Sequence, residues 1–255
     1  MGILDRFRLD GQVAVVTGAG KGIGRGIAIA LAECGANVAL AARRKADLEE
    51  VAAQIEARGA KALVVPTDVL DFPAIDRLAD AAEAKLGPLS IWVNNAGGNL
   101  DRQTHALAET TEANWDTLID LNLKTLWWGA KTAARKFGTR GGRVINIASV
   151  AGLGPSPGFG PYGAARAGVM QMTRTLAVEL APQGIRVNAI APGVVVTEML
   201  LETMHVDERA ARALGKTIPA GRTGVPEDIA AAAVFLAAPA SEWTTGQTIV
   251  VSGGQ

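Results

Sequence analysis

The chain has 255 residues, and its 25 lysines and arginines balance 25 aspartates and glutamates, so the formal net charge is zero. Hydrophobic residues make up 49% and charged residues 20%, a balance that builds a sizeable core and excludes a disordered chain. Zero net charge removes the electrostatic case for nucleic-acid or acidic-membrane partners, and no stretch approaches the ~20 apolar residues that crossing a bilayer takes.

In chain order, the amino terminus Met1-Gly2-Ile3-Leu4-Asp5-Arg6 is too charged and too short for a secretory signal. It also lacks the Ser or Thr at position six that a myristoylation site needs. Val13-Ala14-Val15-Val16-Thr17 is a continuous apolar run, as a strand buried on both faces requires. Ile23 to Cys34 places Ile23, Ile27, Ala30 and Leu31 at helical spacing, and Gly35 stands where that helix would stop. Cys34, the only cysteine, cannot form an internal disulfide and suits a reducing compartment. Its setting is that of a small buried helix residue, not a nucleophile. A soluble, cytoplasmic protein is expected.

The pattern continues with a strand at Val38–Ala41, a helix at Lys45–Arg58, a strand at Ala62–Val65, a helix at Ala74–Leu86 and a strand at Leu89–Val93. One long helical pattern then runs from about Glu112 to Phe137, followed by a strand at Arg143–Ala148 and a helix at Ala164–Leu180. A strand at Arg186–Ile190, a helix at Ile229–Leu236 and a closing strand at Thr248–Val251 complete the chain. Strand–helix alternation with short connections predicts an α/β fold, a doubly wound parallel sheet with helices on both faces. No linker or composition break divides it, so a single domain over 1–255 is expected. The Gly/Pro-rich stretch from Gly152 to Gly163 reads as a site loop inside that domain.

Between the first strand and first helix stands Thr17-Gly18-Ala19-Gly20-Lys21-Gly22-Ile23-Gly24. Glycines there allow a tight turn and let the backbone approach a pyrophosphate, which rests on the helix N-terminus. The strand–turn–helix context is what makes the pattern specific.

The spacing Thr-Gly-xxx-Gly-x-Gly resembles the short-chain dehydrogenase/reductase family, and further motifs agree. Asn94-Asn95-Ala96-Gly97 looks like the family's Asn-Asn-Ala-Gly, and Asn122 in Leu121-Asn122-Leu123 matches its helix asparagine. Ser149 precedes Tyr162 by thirteen residues, as the family's catalytic serine and tyrosine do. Pro192-Gly193 with Thr197, the run Gly221 to Ala230, and Ser252-Gly253-Gly254 are also similar. The resemblance covers essentially the whole chain. It implies a Rossmann-type fold, a nicotinamide dinucleotide cofactor, a carbonyl or alcohol substrate, and a homo-oligomer, either dimer or tetramer. It also implies a cofactor site of Gly18, Lys21, Gly22, Ile23, Gly24, Arg43, Asp68, Val69, Asn95, Ala96, Gly97, Tyr162, Arg166, Pro192, Gly193, Val195 and Thr197.

The end of the second strand selects the cofactor, because an acid there accepts hydrogen bonds from the adenosine 2′-hydroxyl and repels a 2′-phosphate. Counting along the strand gives Ala42, then Arg43 and Arg44, with no carboxylate available. A guanidinium suits a phosphate, and Lys21 adds a second cation, so NADP(H) is expected over NAD(H). The family places the Asp68-Val69 pair against adenine; a helix N-cap is the structural alternative for Asp68.

Carbonyl reduction needs a group that gives one proton to the oxygen, and a tyrosine does so once its pKa, ordinarily near 10, is drawn toward neutrality by a cation. Tyr162-Gly163-Ala164-Ala165-Arg166 puts the only tyrosine one helical turn from a guanidinium. By resemblance, Tyr162 is the acid/base, Ser149 orients the substrate, and Asn122 supports the cation or a water chain. The family's cation is a lysine; this chain has Arg166, which stays charged and can bond a ribose diol but cannot release a proton. An NADP(H)-dependent oxidoreductase is the first expectation. A catalytically impaired NADP(H)-binding sensor or partner subunit is the second, and non-redox use of the nucleotide the third.

His105 and His205 show no metal-ligand spacing, so no metal is expected. Of the adjacent Trp127 and Trp128, one should face the core and the other an interface or the site. The segment at about 198–220 has the place of the family's substrate lid, and Met199, Leu200, Leu201 and Met204 in it suggest an apolar or mixed substrate.

Overall fold

A computed structural model describes residues 2–99 and 106–255, so His105 lies outside the described residues. Seven parallel strands form one sheet: β1 (Val13–Thr17), β2 (Asn37–Ala42), β3 (Ala62–Pro66), β4 (Ile91–Asn94), β5 (Gly142–Ile147), β6 (Ile185–Pro192) and β7 (Thr248–Val251). Their order across the sheet is β3-β2-β1-β4-β5-β6-β7, so the winding reverses between β1 and β4. The crevice beyond the carboxyl ends of the strands at such a reversal is where sheets of this kind bind ligands.

Every residue of β1 is buried, and alternate residues face opposite helix layers. Ala14 and Val16 pack with Ile27 and Leu31 of α1 (Gly22–Glu33), Val51 and Ile55 of α2 (Lys45–Glu56), and Ile229 and Leu236 of α9 (Pro226–Ala237). Val13 and Val15 pack with Leu78 of α3 (Phe72–Leu86), Ala133 and Phe137 of α5 (Thr125–Phe137), and Ala177 of α6 (Gly160–Leu180). Continuous apolar strands are what a sheet covered on both sides demands. Cys34 caps α1 in a half-buried position where burial pushes its thiol pKa up, an inert setting.

Three local features depart from the sequence expectation. The single helix expected over 112–137 is α4 (Glu112–Ile119), a π-helical turn (Asp120–Lys124) and α5. The helix expected from Ala164 begins at Gly160, with Pro161 in its first turn, so Tyr162 is itself helical. The lid segment contains two short helices, α7 (Glu198–Met204) and α8 (Glu208–Ala213). Trp128 is half-buried and stacks on Phe72 at 4.9 Å, while Trp127 stays exposed. No described helix is long and apolar enough to cross a membrane.

Candidate active site

The glycine loop is held by the strands beneath it. Thr17 Oγ1 accepts from the backbone N–H groups of Asn95 (3.0 Å) and Ala96 (3.1 Å), and donates to the Val93 carbonyl. Asn95 Nδ2 in turn donates to the carbonyls of Thr17 (2.9 Å) and Gly18 (3.2 Å). Thr17 thus fastens the exit of β1 to the exit of β4, a role the sequence reading did not assign. A Cβ on Gly24 would lie 2.2 Å from the Gly18 carbonyl oxygen, and Gly18 itself has φ of +66°. Neither position admits another residue without moving backbone.

Helix α1 starts with no side-chain cap and no acid in its first turn. Its first N–H groups and positive dipole end are therefore free to meet an anion. Gly22 and Ile23 open that turn. This is the donor set a pyrophosphate needs, so the residues present fit a dinucleotide. The side chains of Lys21 and Arg43 are exposed and have no ion pair or hydrogen bond among the described residues. The absence of an acid at the end of β2, expected from counting along the strand, holds for the strand but not for the space around it. Asp47 reaches the same place from α2, with its Cβ beside Gly20.

Asn122 lies in the π-helical turn and is fully buried. Such turns re-aim one side chain within an otherwise regular helix. Its Oδ1 accepts from Gly98 N–H and from Arg166 Nη2, both at 2.8 Å, and its Nδ2 donates to the carbonyls of Gly98 and Leu118, both at 3.0 Å. Arg166 is only 3% exposed. Nη1 donates to the Ile147 carbonyl at 2.8 Å, and Nε is buried without a partner. The guanidinium carbon is 5.0 Å from the centre of the Tyr162 ring. A Cβ on Gly97 would come within 2.4 Å of Nη2, so glycine there makes room for the guanidinium.

Ser149 stands at the exit of β5, where its hydroxyl accepts from Ala151 N–H at 3.2 Å and caps a 3-10 turn over Val150–Gly152. That turn packs on α6: a Cβ on Gly152 would meet Ala167 N, and one on Gly163 would lie 2.9 Å from the Ala151 carbonyl oxygen. Gly163 is thus a packing requirement. Beneath these residues runs a buried polar chain. Trp92 Nε1 donates to Asn94 Oδ1 (2.7 Å), Asn94 Nδ2 to Asn146 Oδ1 (2.9 Å), and Asn146 Nδ2 to Thr173 Oγ1 (3.0 Å). It ties β4, β5 and α6 together and fixes how the site residues face one another.

The other expected residues sit around the same crevice. Asp68 is exposed, and its Oδ1 accepts from Leu70 N–H at 3.0 Å, closing a turn; α3 starts after Asp71, so Asp68 is not its N-cap. Val69 and Ala96 line a small void of about 10 Å³ together with Thr17 and Asn94. Gly193, following Pro192, donates to the Val251 carbonyl, and Val195 is buried beside Gly224. Thr197 caps α7, its Oγ1 accepting from Leu200 N–H, while its methyl touches Gly22. Met199 packs on Gly98 across the crevice. His205 ends α7 in a left-handed conformation (φ 51°).

A family model described as enoyl-(acyl carrier protein) reductase matches residues 18–255. The chain belongs to the short-chain dehydrogenase/reductase family. It is 39% identical to the 2-dehydro-3-deoxy-D-gluconate 5-dehydrogenase of Escherichia coli K12, over 99% of this chain and 98% of that protein. A crystal structure of a short-chain type dehydrogenase/reductase from Mycobacterium marinum shares 35% identity, with TM-score 0.88, over 99% and 98% of the two chains. A 7α-hydroxysteroid dehydrogenase complexed with NADH and 7-oxo glycochenodeoxycholic acid shares 32% identity with TM-score 0.91, over 100% of this chain and 98% of that one. As in other short-chain dehydrogenases/reductases, this chain is an oxidoreductase built for a nicotinamide cofactor.

Proposed function

We propose that this short-chain dehydrogenase/reductase uses NADP(H) to interconvert a carbonyl and a secondary alcohol on a small molecule, with Tyr162 as the acid/base. The observation that carries the reading is the buried Arg166 guanidinium 5.0 Å from the Tyr162 ring, held on Asn122 and the Ile147 carbonyl. A cation fixed one helical turn from a tyrosine is a pairing suited to proton exchange at a carbonyl oxygen. The bound nicotinamide supplies or accepts the hydride. Tyr162 gives its proton to the substrate oxygen in reduction and takes it back in oxidation, while Ser149 orients that oxygen. Arg166 Nε is a buried donor without a protein partner, so a ribose hydroxyl would meet it only after the guanidinium turns toward the cleft. Arg166 cannot lend a proton, so Tyr162 recovers its own from solvent at the cleft mouth. Gly18, Gly22, Ile23 and Gly24 would hold the pyrophosphate, Asp68 and Val69 the adenine, and Asn95, Ala96, Gly97, Pro192, Gly193, Val195 and Thr197 would serve the nicotinamide half. The segment at about 198–220 closes over the substrate. Lys21 and Arg43 favour the 2′-phosphate of NADP(H). The chain works as a cytoplasmic homo-oligomer.

The test follows NADPH absorbance with a panel of ketones for the native chain, Tyr162→Phe and Arg166→Lys. The native chain should turn over at least one ketone, and Tyr162→Phe should lose about 10²-fold or more. Equal idleness of the native chain and Tyr162→Phe, with turnover only in Arg166→Lys, would overturn the catalytic reading and leave a cofactor-binding protein. Equal thermal stabilisation by NADP and NAD would overturn the cofactor reading.

A further inference from the structure

The adenosine end of the crevice contains a carboxylate that lies five residues beyond the end of β2 in sequence, yet beside it in space. Asp47 is in the first turn of α2, with its side chain 22% exposed. A Cβ on Gly20 would lie 2.9 Å from Asp47 Cβ, 3.7 Å from its Oδ2 and 3.8 Å from Ala42 Cβ. The glycine loop, the end of β2 and the Asp47 carboxylate therefore close on one spot. Arg44 Nε holds Asp47 Oδ2 at 2.7 Å. Of the cations gathered here, Arg44 is turned to Asp47, while the side chains of Lys21 and Arg43 have no partner among the described residues.

We propose that Asp47 is a specificity-determining residue for the cofactor: its carboxylate accepts from an adenosine ribose hydroxyl and opposes a 2′-phosphate. It thereby keeps the preference for NADP(H) below what Lys21 and Arg43 alone would set, and keeps NAD(H) usable. The inference rests on the cofactor reading above. A phosphate monoester carries close to two negative charges near neutral pH, so a carboxylate a few ångströms away repels it strongly. Asp47 acts a second time by holding Arg44, whose fork would otherwise suit a phosphate. A ribose hydroxyl has no charge to repel and gains an acceptor.

The experiment measures dissociation constants of NADPH and NADH for the full chain by calorimetry, in low and high salt. The variants are Asp47→Asn, which keeps the shape, and Asp47→Ser, which keeps a residue suited to a first helical turn. Both should tighten NADPH about five- to tenfold and weaken or leave NADH, and the gain should shrink in high salt. If Asp47 served only the start of α2, its loss would lower the melting temperature and leave the NADPH:NADH affinity ratio unchanged. That unchanged ratio, in a chain that still prefers NADPH, overturns the proposal alone. A native chain that prefers NADH overturns the NADP(H) reading, while the shift of the ratio on substitution still decides the role of Asp47.

Discussion

Asn122 shows how much one side chain carries when it is buried and fully used. Its amide oxygen accepts two hydrogen bonds and its amide nitrogen donates two, joining α4, the Gly97-Gly98 turn and Arg166. Asn122→Ala would leave a second donor of Arg166 and both polar atoms of Gly98 without protein partners. A hydrogen bond to a buried charged group is worth about 1.5–3 kcal/mol. At roughly 2–4 °C per kcal/mol for a chain of this size, the melting temperature should fall by about 3–12 °C. A drop under about 2 °C in a thermal melt would mean that Arg166 finds another partner. Gly24 offers a sharper contrast, because the obstacle to its Cβ is the Gly18 carbonyl, which is backbone and cannot swing aside. Gly24→Ala should weaken NADPH binding more than tenfold by calorimetry, since the loop must deform where the pyrophosphate rests. Unchanged affinity would show that the loop has slack.

At the scale of elements, α9 is started by a carboxylate clamp. Asp228 Oδ2 accepts from Val225 N–H at 2.9 Å, and Arg222 donates to both of its oxygens at 2.7 and 2.8 Å. The Arg222 guanidinium, with help from the Val225 N–H, holds the Asp228 carboxyl at about 2. The folded state thus keeps this group ionised at a pH where the unfolded chain has protonated it. Its stabilisation is complete above about pH 4 and is lost as pH falls toward 2. Asp228→Asn should lower the melting temperature by about 2–4 °C at pH 7, from a lost helix-start interaction of about 1 kcal/mol, and the gap should narrow between pH 4 and pH 2. A gap that holds constant across that range would assign the effect to packing instead.

The same scale explains what was legible in the sequence. The strand Val13–Thr17 agrees to the residue with its apolar run, because a strand covered on both faces leaves no other composition; Thr248–Val251 agrees too, its β-branched run marking a half-buried edge strand. The π-helical turn at Asp120–Lys124 is invisible to a 3.6-residue pattern, since one extra residue changes which side chain faces inward without changing composition. Gly160 and Pro161 read as loop residues, yet proline suits the first turn of a helix, so α6 starts four residues before the expected Ala164. Asn122, Ser149, Tyr162 and Arg166 were legible through motif resemblance. Thr17 and Asn146 were not singled out, because they act across strands, and the Ile147 carbonyl leaves no trace in residue type. Asp47 escaped for the same reason: its contact with Gly20 is made through space.

At the scale of the molecule, α6 and β7 present two surfaces with different consequences for assembly. The exposed residues Ala164, Ala167, Gln171, Arg174 and Val178 recur at spacings of three and four, so they share one face of the 21-residue α6. Val178 is 77% exposed, and the N-terminal part of this face borders a concavity of about 590 Å³ lined also by Leu107, Pro155 and Gly160. Small side chains let a second helix approach closely, and a two-fold axis would set α6 of one copy against α6 of the other. β7 is the free edge of the sheet, with Val250 46% exposed, and Trp243 nearby in sequence is fully exposed. An uncovered apolar edge of this kind favours pairing with another chain. The chain should therefore sediment as a multiple of 26.3 kDa. Ala167→Glu with Val178→Glu would set carboxylates of one copy against those of the other across the two-fold axis and should yield monomers. Trp243→Ser with Val250→Lys should reduce a tetramer to a dimer, because the α6 contact survives. A native chain that sediments as a monomer at micromolar concentration would refute both surfaces, and a tetramer untouched by the second pair would remove β7 from the assembly.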